Sequence, residues 1–199
     1  MKILLASRNQ GKLREIREIL SDSSLEWRTL QDFPQCPEAE ESADTYIENA
    51  REKSQIAAEH SGLWSLADDS GLEVESLGWK PGVRSARFAG PSAKDRENNE
   101  CLLMELAGQE SDRRRAVFRC VLVLRHPSGR EFVSEGELWG KIATEARGEA
   151  GFGYDPLFIP DGHPLTLAEL PSAEKNLISH RTLALRKMRE FLSPGSLSL

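Results

Sequence analysis

The stretch that most constrains this chain is Ala67-Asp68-Asp69-Ser70-Gly71-Leu72. It follows directly on a short apolar run, Leu63-Trp64-Ser65-Leu66-Ala67, which reads as a buried strand. A strand running into Asp-Asp puts two carboxylates together at the edge of a sheet. Like charges that close repel, so one carboxyl holds its proton unless a cation neutralises the pair. A hard ion such as Mg²⁺ takes oxygen ligands and bridges to phosphates, and would serve. Asp, Ser and Gly are also turn formers, and taken alone the hexapeptide reads more simply as a polar turn. The rest of the chain favours the first reading.

The amino terminus adds a second constraint. Lys2 to Ala6 reads as a buried strand and Ser7-Arg8-Asn9-Gln10-Gly11-Lys12 as a polar loop. Leu13, Ile16, Ile19 and Leu20 then recur at helical spacing, with Arg14, Glu15, Arg17 and Glu18 outward. Strand, loop, helix is the arrangement that aims free backbone N–H groups and a helix dipole at an anion, and Lys12 adds a positive charge there. The Walker spacing is absent, and a plain βα turn is the simpler alternative. Leu25 to Leu30 predicts a second strand. The loop over 32–43 is rich in Pro and Glu and carries Glu38, Glu40 and Glu41, any of which faces water or swings toward a metal. Thr45-Tyr46-Ile47-Glu48 is a capping box that opens a helix to about His60, with Ile47, Ala50, Ser54, Ala57 and Ala58 as its inner stripe. Asn49 and Lys53 are four apart and share a face. Lys53 is either solvated or turned toward phosphates.

Past the acidic pair, Leu72 to Glu75 is apolar in alternation, Pro81-Gly82 marks a sharp turn, and Lys94 to Leu106 predicts a helix with Leu102, Leu103 and Leu106 inward. Residues 116–125 and 130–140 read as a hairpin around His126-Pro127-Ser128-Gly129. A hairpin in an otherwise βα chain predicts a mixed sheet. Gly148, Gly151 and Gly153 surround Phe152, ahead of Tyr154-Asp155-Pro156. Such glycines let a flat ligand approach the aromatics, or they mark a connector whose aromatics pack on the core. Ser172 to Leu192 predicts helix, with Lys175, His180 and Arg181 clustered and Ser179 as an N-cap. Residues 193–199 read as a loose tail. No repeat and no linker divides the chain, so 1–199 is expected to be one domain.

Composition excludes some classes. The net charge is −6, and a protein that binds nucleic acid presents a basic face, so no nucleic-acid partner is expected. The one basic run, Arg113-Arg114-Arg115, reads as a solvated edge. Cys36, Cys101 and Cys120 are odd in number and show no C-x-x-C pattern, which indicates neither zinc nor a disulfide framework and fits a reducing cytoplasm. The apolar opening is too short for a signal peptide, and no window reaches a membrane-spanning length, so no membrane partner is expected.

Five segments, in order and over nearly the full length, resemble the non-canonical purine nucleoside triphosphate pyrophosphatases, the inosine/xanthosine triphosphate pyrophosphatase family. They are Ser7-Arg8-Asn9-Gln10-Gly11-Lys12 with Glu15; Glu40-Glu41 followed by Tyr46-Ile47-Glu48-Asn49-Ala50 and Lys53; Ala67-Asp68-Asp69-Ser70-Gly71-Leu72 with Pro81-Gly82-Val83 and Ser85-Ala86-Arg87; Phe152-Gly153-Tyr154-Asp155-Pro156; and Lys175 with Ser179-His180-Arg181. Ser7 and Arg8 stand where the family usually has Thr and Gly. Ser42-Ala43-Asp44 stands where it commonly has Thr-Gly after its acidic residue, which leaves both Glu40 and Glu41 as candidates, Glu41 the favoured one.

The resemblance implies an α/β fold with an elongated mixed central sheet flanked by helices, two lobes with the active-site cleft between them, and usually a homodimer. It implies Mg²⁺-dependent hydrolysis of ITP, dITP and XTP to the monophosphate and pyrophosphate. Asp69 would be general base and metal ligand, with Asp68 and Glu41 or Glu40 completing the carboxylates. Ser7, Arg8, Asn9, Gln10, Gly11, Lys12, Lys53 and Ser70 would hold the triphosphate. Phe152, Gly153, Tyr154, Asp155, Lys175, His180 and Arg181 would complete the substrate site: His180 and Arg181 donating to the 6-keto oxygen, Phe152 or Tyr154 stacking on the base, Asp155 orienting a partner, and Lys175 serving phosphate or base. A haloacid-dehalogenase-type phosphatase is the competing enzyme, but it wants Asp-x-Asp after the first strand. A nucleotide sensor would dispense with Asp69.

Overall fold

The apolar runs form strands in the computed structural model, which describes residues 2–21 and 25–192. The tail expected over 193–199 lies outside them. In chain order the elements are β1 (Lys2–Leu5), α1 (Gln10–Ile19), β2 (Glu26–Thr29), α2 (Tyr46–Ser61), β3 (Trp64–Val74), β4 (Lys80–Pro81), α3 (Asp95–Glu105), β5 (Arg115–Arg125), β6 (Glu131–Ile142), β7 (Phe158–Pro160), α4 (Ser172–Ile178) and α5 (His180–Met188). The strands run in the order β2-β1-β3-β5-β6-β7, with β4 on β3. The sheet is mixed: β1 pairs in parallel with β2 and β3, whereas β3–β4 and β6–β7 are antiparallel. The fold is mixed α/β, as the pattern predicts.

The chain divides into two compact units, each assembled from separated segments. The first takes Met1–Asp69, Cys120–Gly136 and Arg181–Leu199; the second takes Ser70–Arg119 and Glu137–His180. In the first unit Ile3 and Leu5 of β1, Leu13, Ile16 and Leu20 from the α1 stripe, and Leu185 and Met188 of α5 bury one core. A smaller cluster of Leu4, Ala6, Ala57 and Ala67 lies under α2. Thr45 caps α2, its hydroxyl accepting from the Glu48 N–H, and Gly62 closes the helix in the left-handed region at φ +70°. In the second unit Leu72, Leu102, Leu106, Phe118, Leu157 and Phe158 form the core.

Three local expectations change. The acidic pair does not end a strand: β3 continues through Asp68-Asp69 to Val74, because Ser70 and Gly71 stay extended and Leu72 and Val74 return to the core. Glu15, expected outward, is buried in α1 against a guanidinium. Arg114, read as part of a solvated edge, is buried. Its guanidinium donates to the carbonyls of Leu106, Ile142 and Ala143, which keeps its charge solvated by peptide dipoles.

Candidate functional site

Successive strand residues point to opposite faces, so Asp68 and Asp69 do not crowd each other. Each meets its own cations, all within the first unit. Asp68 has a fully buried side chain. Its Oδ1 pairs with Lys12 Nζ at 2.6 Å, and its Oδ2 accepts from Arg181 Nε at 2.7 Å and from the Cys120 thiol at 3.3 Å. Arg181, the largest fully buried side chain, also pairs with Glu15. Lys12, Asp68, Arg181 and Glu15 thus form one alternating charge chain joining α1, β3 and α5. Burial alone would raise the Asp68 carboxyl, but Arg181 and Lys12 outweigh it and hold it well below the usual range.

Asp69 faces α2 instead. Lys53 Nζ donates to its Oδ1 at 2.7 Å and Asn49 Nδ2 to its Oδ2 at 3.3 Å. The helical spacing of Asn49 and Lys53 therefore serves one carboxylate. Lys53 Nζ also reaches Glu41 Oε2 at 3.3 Å and the Asp68 carbonyl at 2.9 Å. Burial pushes the Asp69 carboxyl above its ordinary value despite Lys53 and Lys12, and nearby Glu41 adds to the rise.

The two acidic-loop candidates separate. Glu41 is half-buried and turned to Lys53; Glu40 is exposed. The backbone N–H groups of both donate to the Glu52 carboxylate at 3.3 Å. Glu41 adopts φ +49°, a conformation costly for a residue with a side chain and found where the surroundings enforce it, often at functional sites. Among the described residues no three His, Cys, Asp or Glu side chains gather as a metal cage. Two carboxylates, Asp69 and Glu41, do converge on one cation, the Lys53 ammonium. That donor set fits Mg²⁺, which prefers oxygen and keeps several waters, so that few protein ligands suffice.

The polar loop opens α1 at Gln10, with Asn9 as N-cap accepting from Lys12 N–H at 3.0 Å. Ser7 Oγ accepts from Asn9 N–H at 3.2 Å. The amides of Gln10 and Gly11 fall in the first turn, where N–H groups lack intrahelical acceptors. Arg8 is exposed, donating to the Cys36 carbonyl and lying 3.6 Å from Glu38. Ser70, partly buried in β3, is the first residue of the second unit.

The second unit brings together Phe152, Gly153, Tyr154, Asp155 and Lys175. Lys175 is buried and paired with Asp155, and its Nζ lies 5.0 Å from the Phe152 ring centroid. Asp155 Oδ2 also accepts from Phe152 N–H at 2.9 Å. Phe152 is partly exposed, whereas Tyr154 is buried and donates its hydroxyl to the Ser85 carbonyl at 2.8 Å. Tyr154 is therefore a strut. Burial, with Cys101 and Asp95 near, raises its phenol. The buried His180 ring stacks on Phe118 at 4.8 Å and 8°.

Reading the sequence alone passed over Asp95 and Asn99, which hold Gly153, and placed Glu15 on the wrong side of its helix. Glu15 lies three residues after Lys12 and between Leu13 and Ile16, a spacing that allowed the inward reading. Asp95 and Asn99 leave no local signal, since their partner is 54–58 residues away.

Residues 3–191 match the model of the Ham1 family. A dITP/XTP pyrophosphatase of Geobacter sulfurreducens is 47% identical over 191 residues, covering 96% of each chain. A protein of the same name from Desulforamulus reducens is 46% identical over 193 residues, 97% of this chain and 96% of that one. A solved HAM1 protein of Coxiella burnetii matches with a TM-score of 0.88 at 41% identity, over 96% of this chain and 98% of that chain. The Staphylococcus aureus Ham1 protein matches with a TM-score of 0.85 at 38% identity, with the same coverage.

Proposed function

The chain belongs to the Ham1 family, and from that premise we propose that it hydrolyses dITP, XTP and ITP to the monophosphate and pyrophosphate with Mg²⁺ as its ion. The observation that carries the reading is the separate pairing of two neighbouring carboxylates, Asp68 with Lys12 and Arg181 and Asp69 with Lys53 and Asn49. Where environment pushes the proton affinities of a pair apart, acid–base roles follow. Asp69, raised by burial, is the group suited to take a proton from water. Asp68, held ionised between Lys12 and Arg181, is suited to anchor them. This assigns Asp68 to the lysine and arginine, and leaves Asp69 with Glu41 as the ligands, Glu40 being the more exposed alternative.

The reaction then needs few parts. Water attacks the α-phosphorus, Asp69 accepts its proton, and pyrophosphate leaves. Lys12, the first-turn amides of α1 and Ser7 meet phosphate oxygens, and Lys53 exchanges its carboxylates for them. When bound, the ion supplies charge neutralisation at the phosphates and lowers the pKa of water. Phe152 offers an aromatic face for the base, His180 and Arg181 are the donors proposed for its 6-keto oxygen, and Lys175 serves phosphate or base. An adenine amino group would leave such a donor unmatched, a discrimination worth ~1–3 kcal/mol per lost bond. A homodimer and a cytoplasmic setting belong to the same reading, supported by the family resemblance, and sedimentation tests the first.

The test is product analysis with dITP and dATP, with Mg²⁺ and with chelator. Pyrophosphate from dITP, strongly reduced with dATP and abolished by chelator, is the expected result. Orthophosphate as the sole product, or tight binding without turnover, would overturn the proposal in favour of a phosphatase or a sensor.

A further inference from the structure

In the second unit one peptide is gripped from both sides. Gly153 N–H donates to Asp95 Oδ2 at 2.6 Å, and the Gly153 carbonyl accepts from Asn99 Nδ2 at 3.0 Å. Asp95 and Asn99 are four apart on α3 and so share one helix face. Gly153 sits at φ +61°, which a glycine adopts without a Cβ penalty, in a turn closed by the Asp155 N–H donating to the Phe152 carbonyl at 3.3 Å. The two α3 side chains add a second restraint from outside the turn, on both ends of the glycine.

The amide of Asn99 is otherwise a poor choice. Asn99 is 8% exposed, and its Oδ1 has no hydrogen-bond partner among the described residues. Burying a half-satisfied amide is unfavourable, and an apolar side chain of the same size would avoid the penalty next to Leu102. What the amide gains is its hold on Gly153. The residue so held is flanked by Phe152, whose N–H is fixed to Asp155 and whose ring lies beside Lys175.

We propose that Asp95 and Asn99 are positioning residues for nucleobase recognition: they lock the Gly153 peptide and thereby the direction in which Phe152 presents its ring. The inference rests on the function proposed above and deepens it. Neither residue touches substrate in this account; both act through Gly153.

The test compares Asp95→Ala, Asp95→Asn and Asn99→Leu with the wild-type chain. Steady-state kinetics with dITP are set beside inhibition by inorganic tripolyphosphate, which offers phosphates and no base. In Asp95→Ala and Asn99→Leu the KM for dITP is expected to rise about tenfold with kcat little changed, the pattern of lost substrate binding. Tripolyphosphate inhibition is expected to stay at the wild-type level. Asp95→Asn keeps an acceptor and should return KM toward wild type, a rescue that a general folding defect would not show. Asp95 is exposed, so its variants carry the test if Asn99→Leu does not fold. An unchanged KM, or equal losses toward dITP and tripolyphosphate, would overturn the inference alone. A wild-type chain that releases no pyrophosphate from dITP would remove the proposed function and this inference with it.

Discussion

Replacing Asp68 by Asn would leave Lys12 and Arg181, both largely buried, facing a neutral amide. Removing one partner of a buried pair leaves uncompensated charge, so Asp68→Asn is expected to lose about 3 kcal/mol of stability, read by urea denaturation. The pH dependence has a definite sign. Asp68 is held below the ordinary 3.8 in the fold, so its contribution is full above that value and fades as pH falls beneath it. Wild type should therefore lose stability below about pH 4 with a steeper slope than the variant. Asp69 runs the other way. Its raised carboxyl must be ionised to act as a base, so the acid limb of kcat/KM, which reports the free protein, should lie above the ordinary 3.8. Asp69→Asn should cut kcat by about 10²–10⁴ with nucleotide binding largely kept, measured by turnover and by calorimetry. That two carboxylates lie side by side was legible in the sequence. Their separate partners were not, because alternation across a strand matters only once the strand is known to continue through both residues.

At the scale of elements, α2 was open to reading because its signals are local. Thr45 and Glu48 mark its start, and of the stripe read as Ile47, Ala50, Ser54, Ala57 and Ala58 all but Ile47, which is partly exposed, are buried. Thr45→Ala is expected to cost about 1 kcal/mol, seen as a lowered thermal midpoint. The segment after β6 was less open, since its order comes from distant partners. Tyr154 looks like an available aromatic in the chain, yet its hydroxyl is committed to the Ser85 carbonyl. Tyr154→Phe leaves that buried carbonyl without its donor and should cost about 1–3 kcal/mol by denaturation. Arg114 illustrates the same limit. Three arginines in a row read as surface, and only the carbonyls of Leu106, Ile142 and Ala143 reveal why the middle one is inside.

At the scale of the molecule, neither unit is a continuous length of chain. The first draws on three segments and the second on two. A fragment ending at Arg119 therefore lacks the Cys120–Gly136 segment and Arg181, which the first core and the Asp68 charge chain need. Such a fragment should show no cooperative thermal transition by circular dichroism.

The ammonium lodged between Glu41 and Asp69 has a consequence for how the proposed ion would enter. On the proposed reading a bare metal would have to evict a tenant already held by two carboxylates and a carbonyl. Nucleotide arriving with the metal offers that tenant new oxygen neighbours in the same event. Titration of the free protein with Mg²⁺ alone should accordingly give feeble heats, and the ion should enter in the company of its triphosphate.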